Sequence, residues 1–179
     1  SLIFYTGFGS VSMTDLKVII VGAAGRMGRM LIQTVAATEG MYLTGAIERE
    51  GAPTLGQDSG LLSGIGANGV LISDDPLPLF AKADAVIDFT TPASTAHFAA
   101  LAAQARIIHV VGTTGMHAND LQKLEAAARH AVIIRSGNMS LGVNLLAALV
   151  KRVAATLQDR KSTRLNSSHE WISRMPSSA

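Results

Sequence analysis

The 179-residue chain contains no cysteine. That absence removes disulfides, thiolate nucleophiles and cysteine-based zinc sites together, and it fits a reducing compartment. Aromatic residues are scarce, 4% of the chain against 48% hydrophobic residues. Ala, Val, Ile and Leu must therefore fill the core, as they do when helices cover both faces of a parallel sheet. No apolar run approaches the roughly 20 residues of a membrane-spanning helix, and the short apolar start at 1–5 lacks a basic leader and a cleavage site. A cytoplasmic location with no membrane partner is expected. The five histidines, His97, His109, His117, His130 and His169, show no metal-ligand spacing, so no metal site is expected. No pair of carboxylates suggests hydrolytic work. Ser140 lacks the first glycine of a nucleophile elbow, Asp74 and Asp75 stand where a helix would be capped, and Asp88 reads as a structural strand-end acid. No catalytic residue is assigned.

Net charge is also absent outside one segment. The formal net charge is +2. Residues 159–179 carry Arg160, Lys161, Arg164 and Arg174 against Asp159 and Glu170, and the rest of the chain is balanced. A nucleic-acid partner has no support from this pattern.

What is present is a strand–helix alternation. Leu16–Val21 is a short apolar run that ends at a glycine and reads as a buried strand. A helix begins near Arg26, with Met27, Met30, Leu31, Thr34 and Val35 on its apolar face and Gly40 closing it. Met41–Ile47 reads as a second strand. Residues 51–69, with six glycines and Pro53, read as a long surface loop. Further strands are predicted at 70–72, 85–89, 107–111 and 132–134. Helices are predicted at 76–82, at 92–105 with Pro92 in the first turn, at 119–129 with Asn119 as cap and a Glu125–Arg129 pair, and at 142–157. The pattern predicts an α/β fold, a Rossmann-type doubly wound parallel sheet with helices on both faces. One nucleotide-binding domain is expected over 13–158. Residues 1–12 read as a non-native leader. Residues 159–179, rich in Ser, Arg and Asn, read as a disordered foreign tail.

The chemistry-bearing motifs fall at strand ends. Gly22-Ala23-Ala24-Gly25-Arg26-Met27-Gly28 follows the first strand and opens a helix, where free N–H groups and the helix dipole suit a pyrophosphate. Its spacing is one residue longer than the common dinucleotide fingerprint. Glu48 stands at the end of the second strand, where an acid accepts the adenosine ribose hydroxyls. Adjacent Arg49 could neutralise a 2′-phosphate, so either NADH or NADPH is expected as cofactor. Gly112-Thr113-Thr114, Asp88-Phe89-Thr90 and Ser136-Gly137-Asn138-Met139 end neighbouring strands on the same edge, which is where open α/β sheets bind ligands.

With these residues in view, the chain resembles the N-terminal domain of dihydrodipicolinate (4-hydroxy-tetrahydrodipicolinate) reductases. The matching text is VGAAGRMG at 21–28, EREG at 48–51, IDFT at 87–90, VGTTG at 111–115 and NMSLGVN at 138–144, in order and at family spacing. The resemblance implies that Gly22, Ala23, Ala24, Gly25, Arg26 and Met27 hold the pyrophosphate. It implies that Glu48 holds the ribose and Arg49 the 2′-phosphate of NADPH. Gly112, Thr113, Thr114, Ser136, Gly137, Asn138 and Met139 would surround the nicotinamide half. It further implies hydride transfer from NAD(P)H to a small-molecule substrate, 4-hydroxy-tetrahydrodipicolinate, in diaminopimelate and lysine biosynthesis, by a homo-oligomer. Thr91 departs from the arginine of many relatives, and Met139 from a more usual phenylalanine. Nothing in 158–179 matches the family's substrate domain, so this chain alone is expected to bind cofactor without turning over substrate. A helix at 142–157 stripped of its partner domain would expose Leu145, Leu146, Leu149 and Val153. The alternatives are a stand-alone nucleotide-binding or redox-sensing module, or the cofactor domain of another Rossmann dehydrogenase.

Overall fold

A computed structural model describes residues 15–135. The expectations for the leader, for Ser136, Gly137, Asn138 and Met139, for Ser140, for the helix at 142–157 and for the tail lie outside the described residues. Six strands and five helices alternate: β1 (Leu16–Val21), α1 (Arg26–Ala37), β2 (Met41–Ile47), α2 (Ser59–Leu62), β3 (Ile72–Ser73), α3 (Leu77–Phe80), β4 (Ala85–Asp88), α4 (Pro92–Ala105), β5 (Ile108–Val111), α5 (Ala118–Ala127) and β6 (Val132–Arg135). The strands form one sheet in the order β3-β2-β1-β4-β5-β6, every neighbouring pair parallel. This is the doubly wound order of dinucleotide-binding folds.

The apolar composition follows from burial on both faces. Along β1, Val18 and Ile20 join Leu31, Ile32 and Val35 of α1 in one cluster. Ile19 and Val21 join Phe80 of α3 and Phe98, Leu101 and Ala102 of α4 in the other. A strand covered on both sides shows no polar–apolar alternation, which is why β1 reads as a continuous hydrophobic run. Each fully buried Val, Ile or Leu here is worth about 1.5–3 kcal/mol relative to exposure. The few aromatics are used sparingly, Phe80 stacking on Phe98 at a 5.9 Å centroid separation.

Several boundaries differ from the sequence expectation. The apolar stripe of α1 is rotated: Ile32 is buried, whereas Met30 is exposed. The helix ends at Ala37 with Thr38 at its C-cap. Gly40 instead serves the turn into β2, at φ +75°, and its carbonyl accepts the Leu16 N–H at 2.8 Å. The strand predicted at 70–72 is Ile72–Ser73, and β4 and β5 are each one residue shorter than predicted. At α5 the N-cap is His117, not Asn119; the Asp120 carboxylate accepts the His117 N–H at 3.0 Å. The helix stops at Ala127, two residues before Arg129, and among the described residues no ion pair joins Glu125 to Arg129.

The predicted loop at 51–69 is an ordered structure built around one carboxylate. Asp58 caps α2, its Oδ1 accepting the N–H groups of Gly60 at 2.8 Å and Leu61 at 3.0 Å. The same carboxylate accepts the N–H of Asn68 and, through Oδ2, that of Gly69 at 2.8 Å. These donors, the Leu61 N–H foremost, hold the Asp58 pKa below its ordinary 3.8.

Candidate functional site

The strand order reverses direction between β1 and β4. From there α1 covers one face and α4 the other, so the connections after β1 and β4 diverge and leave a crevice at the carboxyl edge. The glycine loop enters it directly. Gly22 and Ala23 donate their N–H groups to Ile47 O, at 2.9 and 3.1 Å, which fixes the start of the loop against β2. Gly22 turns at φ +73°, a conformation costly to any residue with a Cβ. Gly28 sits so close to this turn that a Cβ would overlap Gly22 O and lie 2.8 Å from Ala23 Cα. The helix therefore begins almost on top of the strand end.

Gly25 at the N-cap of α1 offers no side-chain acceptor. The first N–H to find a partner along the helix is that of Arg29, on Gly25 O at 3.0 Å. The N–H groups of the first turn are thus left for an outside acceptor, with the dipole favouring an anion. Arg26 and Arg49 are exposed at this end. Arg29 Nε donates to Ala24 O at 3.0 Å, bracing the loop. This cradle of backbone N–H groups, shaped by glycines, fits a pyrophosphate.

Glu48 stands beside the cradle. Its backbone N–H is anchored on Ser73 O at 3.0 Å. Its carboxylate accepts two backbone donors, the Ala24 N–H on Oε2 and the Arg49 N–H on Oε1, both at 3.1 Å. The acid predicted for the ribose and the loop predicted for the phosphates are therefore in direct contact.

On the other side of the crevice the two hydroxyls of the Thr113–Thr114 pair part company. Thr114 is exposed, whereas Thr113 is buried. The Thr113 Oγ1 lies 2.7 Å from Thr95 Oγ1 and accepts the Thr90 N–H at 3.2 Å. The Thr113 hydroxyl is thus turned into the protein, leaving its backbone and Thr114 to face the edge. Gly112 donates its N–H to Asp88 O at 2.8 Å, and a Cβ on it would run into the Phe89 ring.

Thr90, in the segment expected on this edge, comes close to the glycine loop: its Cγ2 lies 3.0 Å from where a Gly22 Cβ would stand. Thr91 caps α4 by accepting the Ser94 N–H at 3.4 Å. Among the described residues no group of three or more His, Cys, Asp or Glu side chains is placed to hold a metal ion. No described helix is long and apolar enough to cross a membrane.

Comparison with known proteins adds to this geometry. The family model described as "Dihydrodipicolinate reductase, N-terminus" matches residues 16–139. The 4-hydroxy-tetrahydrodipicolinate reductase of Brucella abortus (strain 2308) is 61% identical over 142 residues, 79% of this chain and 53% of that protein. The one from Chelativorans sp. (strain BNC1) is 60% identical over 145 residues, 81% of this chain and 52% of that protein. The chain spans about half the length of the curated relatives it matches. Among solved structures, a dipicolinate-bound dihydrodipicolinate reductase from Paenisporosarcina sp. TG-14 superposes with a TM-score of 0.57 at 25% identity, covering 70% of this chain and 48% of that one. An amine dehydrogenase from Mycobacterium smegmatis, at 22% identity over 69% of this chain and 39% of its own, shares the fold with a TM-score of 0.57. The match to the family model runs from β1 to beyond β6 and takes in every motif of the crevice, and by it the chain belongs to the dihydrodipicolinate reductase family, matching its N-terminal part.

Proposed function

We propose that this chain is the pyridine-nucleotide-binding half of a 4-hydroxy-tetrahydrodipicolinate reductase. The observation that carries the reading is the joined unit of the glycine loop and Glu48 at the point where the strand order reverses. Gly22, Ala23, Ala24, Gly25, Arg26 and Met27 hold the pyrophosphate through backbone N–H groups at the start of α1. The Glu48 carboxylate takes the adenosine ribose hydroxyls, and exposed Arg49 meets the 2′-phosphate of NADPH. Both NADH and NADPH are accepted, because the anionic ribose acceptor and the cation stand next to each other. Gly112, Thr113 and Thr114, with Ser136, Gly137, Asn138 and Met139, flank the nicotinamide half.

In the full-length relatives' chemistry the bound cofactor supplies a hydride. The residues described here bind and orient it, while a substrate-holding part outside residues 15–135 must bring 4-hydroxy-tetrahydrodipicolinate within reach. Titrating NADPH and NADH into the 179-residue protein, followed by the fluorescence of the reduced nicotinamide, tests the reading. Saturable binding at one site, displaced by 2′,5′-ADP, is expected. Absence of saturable binding to either dinucleotide overturns it.

A further inference from the structure

The polar residues beneath the β4–β5 end of the crevice are buried far more deeply than a binding loop requires. Asp88 on β4 and His109 on β5 have no exposed surface, and their Oδ2 and Nε2 atoms are 3.2 Å apart. The other carboxylate oxygen, Oδ1, accepts the Thr90 N–H at 3.0 Å and the Thr90 hydroxyl at 2.6 Å. Thr90 passes the connection on, donating its N–H to Thr113 Oγ1 as well, and Thr113 is tied to fully buried Thr95 on α4. Five residues from β4, β5, α4 and the connections after both strands thus form one polar cluster, four of them buried and Thr90 half-buried.

Burying a carboxylate is costly unless donors surround it, and here they do. Because Asp88 Oδ2 needs a donor, the His109 proton belongs on Nε2. His109 Nδ1 has no hydrogen-bond partner among the described residues, so the contact to Asp88 is the ring's one polar anchor there. What this arrangement determines is the position of Thr90 and Thr113, each two residues past the end of its strand at the crevice.

We propose that Asp88 and His109 are positioning residues for the nicotinamide end of the cofactor site, acting through Thr90 and Thr113. The inference rests on the nucleotide reading above. A dinucleotide lies across the point of strand reversal. Glu48 and Arg49 place the adenosine half on the β2 side, so the other half must reach the β4–β5 side, where this cluster holds the loop ends. The dyad touches neither Glu48 nor the first turn of α1, and the Thr90 methyl is its one approach to the glycine loop, at Gly22, so its influence falls mainly on the nicotinamide half of the ligand.

The test compares a whole dinucleotide with its adenosine half. Affinities for NADPH and for 2′,5′-ADP are measured in the wild-type chain and in His109→Leu, His109→Gln and Thr95→Val. His109→Leu should weaken NADPH by roughly tenfold or more, the effect of one lost buried hydrogen bond, and leave 2′,5′-ADP unchanged. His109→Gln still offers Asp88 a donor and should recover most of the NADPH affinity. Thr95→Val keeps the volume and removes only the hydroxyl that tethers Thr113, so it carries the test if His109→Leu fails to fold, with the same selective loss. Equal losses for both ligands, or no loss for NADPH, overturn the positioning role while the nucleotide reading stands. A wild-type chain that binds neither ligand overturns the nucleotide reading and this proposal with it.

Discussion

Glu48 and Ala24 are joined across the carboxyl edge of the sheet, the Glu48 carboxylate accepting the Ala24 N–H at 3.1 Å. The bond ties the end of β2 to the glycine loop that follows β1. It also fixes the negative charge that a ribose diol would meet, with the exposed Arg49 guanidinium one residue away.

Glu48→Gln should separate the two dinucleotides. The diol of NADH loses a charge-assisted acceptor, worth about 1.5–3 kcal/mol, so NADH affinity should fall by roughly tenfold or more. NADPH should lose less, because its 2′-phosphate no longer faces an anion. The ratio of the two dissociation constants, wild type against variant, checks this. A ratio that does not move would remove Glu48 from the ribose.

Gly28→Ala should damage both folding and binding. The added Cβ meets backbone on the strand side, Gly22 O and Ala23 Cα, and backbone yields less readily than a side chain. Overpacking of this kind costs about 1–3 kcal/mol, to be read from urea unfolding. The displaced start of α1 should also abolish NADPH binding, seen by the same fluorescence titration. A variant with wild-type stability and affinity would show that helix and strand do not need this close approach.

The glycine loop was legible in the sequence because Gly22 and Gly28 record demands of the backbone itself, a left-handed turn and a contact with no room for a Cβ. The continuous apolar run of β1 was legible for the same reason of simple geometry, burial on both faces. The stripe of α1 was less so: Met30 and Ile32 are both apolar, and only the packing decides which one faces the sheet. The order within 51–69 was hidden because it comes from Asp58 side-chain bonds to the N–H groups of Asn68 and Gly69, ten and more residues away, which no periodicity records. The same is true of His109. In an apolar strand it gives no sign that it pairs with Asp88 on the neighbouring one, and the inward turn of the Thr113 hydroxyl follows from its bonds to Thr95 on α4 and the Thr90 N–H, which no periodicity records either.

Asp58→Asn should loosen the segment between β2 and β3. The folded Asp58 pKa lies below its ordinary 3.8, so the carboxylate's contribution is fully present above that value. It is lost as pH falls through the lower folded value. The protection factors of the Gly60, Leu61, Asn68 and Gly69 amides, which take out the intrinsic slowing of exchange in acid, should therefore fall as pH drops through that value in the wild-type chain. In Asp58→Asn they should be low already at neutral pH and lack the acid step. Slow exchange in the variant would show that the loop is held by something other than this charge.

Arg106→Gly should stabilise the protein. Arg106 caps the carboxyl end of α4 in the left-handed region, at φ +56° and ψ +41°, the described non-glycine residue with positive φ. That conformation costs a side-chain-bearing residue about 1–2 kcal/mol, and glycine is the usual occupant of such a cap. Part of the gain is offset by the greater freedom of glycine in the unfolded chain, so a net gain of up to about 1 kcal/mol is expected from thermal or urea unfolding. A net loss would mean that the Arg106 side chain makes a compensating contact.

On the proposed reading one dinucleotide spans the reversal point, from Glu48 on the β2 side to Thr114 beyond β5. Amide hydrogen exchange of the 179-residue protein with and without saturating NADPH tests it most directly. Protection should concentrate at residues 22–28, 48–49 and 112–115, with 2′,5′-ADP protecting only the first two segments. Protection absent from the glycine loop, or confined to segments away from the carboxyl edge of the sheet, would contradict it.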